Sequence, residues 1–122
     1  MTTKEVADMI AGIGVPTAYY QFIDNTGIAP PFICFYYPGD NDFKADGINY
    51  AKINRLIIEL YTNNKDFALE AEVENVLTEN GFAFTRNETY IGTEQMYMVI
   101  FETQVVITEE AENDTEELTD GE

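Results

Sequence analysis

The sequence has no histidine and no tryptophan, and it has one cysteine and six basic residues among 122. Without histidine, no Ser–His–Asp or Cys–His nucleophile is possible, and mixed Cys/His zinc sites are excluded as well. The single Cys34 rules out an internal disulfide. Its setting, "PFICFYY", is apolar and aromatic, so it reads as a small buried hydrophobe rather than an activated thiol. No apolar run is long enough to span a membrane, and the opening "MTTKEVADMI" lacks the basic and apolar regions of a secretory signal. A reducing, cytoplasmic setting with no membrane partner is therefore expected.

The six bases face 23 acids, for a formal charge of −17. No basic stripe is present to grip a phosphate backbone, so nucleic-acid binding is not expected. Eight of the acids fall in "EEAENDTEELTDGE" (109–122), and the remaining body still carries 15 acids against 6 bases. Residues 1–108 read as one α+β domain, and 109–122 as an acidic tail with little to bury. Hydrophobic content of 45%, with eight Phe and eight Tyr, is ample for a core.

Thr2 and Glu5 form a capping box ahead of Val6, Met9, Ile10 and Ile13, with Gly12, Gly14 and Pro16 ending that helix. "TAYYQFI" (17–23) and "PFICFYY" (31–37), joined by "DNTGIAP", read as a β-hairpin. "NYAKINRLIIELYT" (49–62) alternates, with its even face apolar from Leu56 onward. Asp66 caps a second helix whose Leu69, Val73, Val76 and Leu77 repeat at helical spacing, with Glu70, Glu72, Glu74 and Glu79 mostly on its outer, solvated face. Asn80-Gly81 stops it. "FAFTR" (82–86) reads as a short strand and "NETYIGT" as the following turn. "EQMYMVIFETQVVIT" (94–108) is apolar on both faces through its middle, as expected of an interior strand covered on both sides or paired across a subunit boundary. The simplest closure is a mostly antiparallel sheet with two helices packed on one face.

The stretch "YYPGDNDFKADGINYAK" (36–52) interrupts the strands with three aspartates, two glycines and several aromatics. A calcium loop needs oxygen ligands at positions 1, 3 and 5, Gly at 6 and Glu at 12. Starting from Asp40 puts Lys44 at position 5, and starting from Asp42 puts Ile53 at position 12, so neither register serves. No phosphate-binding, dinucleotide or nucleophile-elbow motif is present either, and neither a cofactor nor an enzymatic activity is expected. Long excursions of this kind usually have a task. Phe43, Ile48 and Tyr50 are suited to anchoring in a partner's pocket, or to folding back on the chain's own sheet.

Taken in order, "GIGVP", "PPFICFYYPGDNDFKADGINYAKI", "RLIIELYTNNKDFALEAEVENVL" and "YMVIFETQVVI" resemble the tail-terminator and tail-completion proteins of phages and prophages of Gram-positive bacteria. The resemblance spans roughly residues 2–108 and is strongest in "PPFICFYYPGDNDFKADG" and "IELYTNNKD". It implies a tail-terminator-like α+β subunit with no catalytic role. Such a subunit forms a homo-oligomeric ring, usually a hexamer, on the tail tube protein and meets a head-completion or connector protein. DNA passes through the ring without being gripped. The setting implied is the host cytoplasm during assembly and then the virion tail. A closed ring needs two different patches per subunit. The 38–51 arm and the 96–106 strand are the candidates, with Tyr36, Tyr37, Phe43, Ile48, Tyr50, Met96, Met98 and Ile100 as contact residues. A head-completion or stopper protein of the same particle, and an acidic DNA-mimic inhibitor, are the alternatives.

Overall fold

A computed structural model describes residues 1–20, 28–38 and 52–108. They form helix α1 (Thr3–Ala11), strands β1 (Thr17–Tyr19), β2 (Phe32–Tyr36) and β3 (Lys52–Thr62), helix α2 (Phe67–Glu79), and strands β4 (Phe84–Ile91) and β5 (Met96–Ile107). The fold is α+β, a five-stranded sheet in the order β1-β2-β3-β5-β4.

Local chemistry sets the helix ends. The Glu5 amide donates to the Thr2 hydroxyl at 3.1 Å, and the Thr2 amide donates to the Glu5 carboxylate at 2.9 Å, which closes the capping box of α1. The Leu69 amide donates to Asp66 at 3.0 Å and fixes the start of α2. Gly81, at φ +86, provides the left-handed exit that a side chain would oppose.

Both helices lie over one sheet face. Val6 and Ile10 of α1 and Val73 and Leu77 of α2 meet Ile33, Phe35, Leu56, Ile58, Leu60, Val99, Phe101, Val105 and Ile107 in one core. The even residues of β3 point into that core, as their alternation predicts, and so do the odd residues of β5 from Val99 onward.

Three expectations are corrected. β1 and β2 do not form a hairpin; they run parallel, Thr17 beside Ile33 and Tyr19 beside Phe35. Parallel strands need a connection of about a dozen residues to bring the chain back to the same end of the sheet. Twelve residues separate Tyr19 from Phe32, enough for that return. "NETYIGT" is not a turn: β4 continues to Ile91, and the chain reverses over Gly92–Gln95. As an edge strand, β4 is solvated on both sides, so its polar residues hide its regularity. Finally, Glu70 is not on the solvated side of α2. It is 2% exposed and bonded to Lys65 and Arg86.

Candidate interaction surface

Both helices pack on one face, and among the described residues no helix covers the other, the bare face. Strand alternation and register put Phe32, Cys34 and Tyr36 of β2 on it, with Ile53, Arg55, Ile57, Glu59 and Tyr61 of β3. β5 adds Met96, Met98, Ile100, Glu102, Gln104 and Val106, and β4 adds Thr85, Asn87, Thr89 and Ile91. The cross-strand pair Ile53 and Val106 is 66% and 44% exposed. Met96, Met98, Ile100, Phe32, Tyr36 and Tyr61 are half-buried.

Glu59 organises the middle of this face. The Tyr36 hydroxyl donates to its Oε2 at 2.9 Å, and the Tyr61 hydroxyl to its Oε1 at 2.7 Å. Tyr36 stacks on Tyr20 at 5.0 Å, and Tyr61 stacks on Phe32 at 4.8 Å. Tyr20 reaches that position through a left-handed backbone, φ 69, at the end of β1. Burial, and then the hydrogen bond to Glu59, push the Tyr36 hydroxyl up to about 12, and the same causes raise Tyr61. Burial, reinforced by the Glu59 charge, also raises the Cys34 thiol, which suits an inert cysteine. Among the described residues, no basic side chain forms a salt bridge with Glu59.

Four residues back along β3, Arg55 Nε donates to Glu102 Oε2 at 2.7 Å. Arg55, Glu59 and Glu102 are the charged residues of the bare face among the described strands, a net charge of −1. The two helices and the helix-side residue Glu88 carry most of the other described acids.

Among the candidate contact residues, Tyr36, Met96, Met98 and Ile100 thus share the bare face. Tyr37 lies on the helix side, packed against the core and lining a cavity of about 280 Å³ with Thr3, Ala7, Tyr19 and Phe35. Phe43, Ile48 and Tyr50 lie outside the described residues. The β3 residues Ile53, Arg55, Glu59 and Tyr61 were not among the candidates, although their alternation places them on one face beside β5.

A second charged group sits on the helix side. Glu70 bonds Lys65 through one carboxylate oxygen and Arg86, at 2.7 Å, through the other. Lys65 also bonds Glu88 at 2.9 Å, and Arg86 bonds Glu74 at 2.6 Å. Burial alone would raise the Glu70 carboxyl, but the bonds from Lys65 and Arg86 outweigh it and hold the group below the ordinary carboxylate range. These mutually satisfied charges join α2 to β4. Among the described residues, no group of three or more Cys, Asp or Glu is arranged to hold a metal ion, and no helix is long and apolar enough to cross a membrane.

No protein-family model matches the chain, and no curated protein is found to be similar to it.

Proposed function

We propose that this chain is a structural subunit of a phage or prophage tail. It assembles into a ring, a hexamer, at the head-proximal end of the tail tube, ends tube growth and offers the head a docking face. One observation carries the proposal: among the described residues, no helix covers a sheet face rich in Met, Ile and Tyr. Such a face suits a protein that works by contact. The kind of assembly is what the resemblance of its motif order to tail-terminator proteins implies.

In this scheme the 38–51 arm of one subunit, through Phe43, Ile48 and Tyr50, meets Met96, Met98 and Ile100 of the next. Two different patches then make a heterologous contact that closes into a ring. The carboxylates of the body line the bore, where they repel the phosphates of passing DNA. A ring structure with a neutral or basic bore would remove that part of the scheme.

The test is light scattering coupled to size exclusion across protein concentration, with and without purified tail tubes. A discrete ring, or recruitment to tube ends, supports the assignment. A subunit that ignores tubes and binds a basic host protein instead favours the acidic mimic. Deleting residues 40–48 should leave the folded body intact and weaken assembly; normal assembly by that variant would reduce the arm to a surface loop.

A further inference from the structure

The bare face has a charge pattern that complements itself. Along β3 its outward residues run Ile53, Arg55, Ile57, Glu59 and Tyr61, so opposite charges stand two positions either side of Ile57 and large apolar groups two positions beyond them. Ile57 is 6% exposed and forms the floor between the two charges.

We propose that this face is covered by a second copy of the same chain, in a face-to-face pair whose two-fold axis crosses the strands at Ile57. Turning one sheet over about that axis puts Arg55 above Glu59 of the second copy and Glu59 above its Arg55. Ile53 then meets Tyr61. On β5, Met98 meets Val106 and Ile100 meets Gln104, because the register places Glu102 beside Ile57. The two Glu102 carboxylates approach the axis, each already held by its own Arg55 at 2.7 Å. Tyr36, also beside Ile57, meets its counterpart.

Three observations select this arrangement. Glu59 is braced by two phenol hydroxyls, with no basic partner among the described residues, and Arg55 of the second copy supplies one. The alternative stacking, with the β3 strands parallel, would place Arg55 on Arg55 and Glu59 on Glu59, so charge favours the antiparallel pair. Third, the described strands give this face a net charge of −1, whereas the helix side holds most of the other described acids, so two copies repel less through this face than through the helix side. Stacked sheets lie about 10 Å apart, within the combined reach of an arginine and a glutamate.

A two-fold pair differs in symmetry from a ring contact, so it stands independently of the ring. If the ring role holds, there is a further consequence: the pair covers Met98 and Ile100 and must open before those residues can receive an arm. The pair would be the reserve form of the subunit.

The experiment is sedimentation velocity on the full chain, the Arg55→Glu and Glu59→Arg variants, and an equimolar mixture of the two variants. The wild type should sediment as a dimer. Each variant should lose at least about tenfold in dimer affinity, because every contact between positions 55 and 59 becomes like-charged. The mixture should recover a dimer, since both its contacts are again opposite in sign. Ile53→Asp and Val106→Asp alter exposed side chains outside the charge pattern and should also dissociate the pair without loss of fold by circular dichroism. A wild-type chain that stays monomeric overturns the pair, and so does a mixture that fails to recover while both variants are folded. A ring that ignores both charge swaps overturns the pair and leaves the ring. A monomer that caps tail tubes does the same.

Discussion

Arg86 Nη2 lies 2.7 Å from Glu70 Oε1, tying the edge strand β4 to the buried side of α2. The Glu70 side chain is 3% exposed, so its charge is tolerated only because Lys65 and Arg86 bond both of its oxygens. Glu70→Gln keeps the shape and removes the charge. It should lower unfolding free energy by about 1–3 kcal/mol, because the amide replaces an acceptor with a donor facing two cations. Urea denaturation measures the loss.

The same carboxylate predicts a pH dependence. Its folded-state pKa lies below the unfolded one, so its stabilisation is complete above the ordinary carboxylate value of ~4.3 and disappears as pH falls through the folded value. Melting temperature followed from neutral pH into that acid range should fall less steeply for Glu70→Gln than for the wild type. Equal slopes would show that Glu70 does not contribute to the acid limb.

At the alkaline end, Tyr36 and Tyr61 are held neutral by burial and by their bonds to Glu59. A raised folded-state pKa means that their contribution is present below the ordinary tyrosine value of ~10 and is lost as pH rises through the folded values. In an ultraviolet titration, Glu59→Gln should bring both hydroxyls part of the way down. The remainder should persist, because burial is the larger cause.

Gly81 and Gly92 separate backbone strain from packing. A methyl group added at either meets nothing within 4 Å, but Gly81 sits at φ +86. Gly81→Ala should cost about 1 kcal/mol and Gly92→Ala close to nothing, as judged by denaturant midpoints. In the core, Phe101 is 0% exposed and meets the Phe84 ring edge-on at 6.0 Å. Phe101→Ala should cost about 3–5 kcal/mol by the same measurement.

What the sequence made legible was local. Thr2 with Glu5, and Asp66 with the amide three residues on, are short-range hydrogen bonds that a reader can count off the chain. The inward alternation of Leu56, Ile58 and Leu60 is equally direct. The direction of β1 was not, because the turn residues after Tyr19 describe a bend and say nothing of where the chain next joins the sheet. Glu70 was misplaced because its formal charge outweighed its spacing. It stands three and seven residues before Val73 and Leu77, on their stripe, and its cations come from positions 65 and 86. The bare face was half visible: Met96, Met98 and Ile100 were singled out, whereas the charges of β3 needed the register with β5 to acquire neighbours.

That register also orders events in time. β3 is paired along its whole length with β5, from Lys52 with Ile107 to Thr62 with Tyr97, partners 55 to 35 residues apart in the chain. On a ribosome, residues up to Thr62 emerge well before the strand that walls them in, and loops of this length close late. Until Ile107 is free, Leu56, Ile58 and Leu60 have β2 on one side and an open edge on the other. The nascent chain therefore passes through a stage with an apolar strand unpaired, when it is most exposed to aggregation and to capture by chaperones.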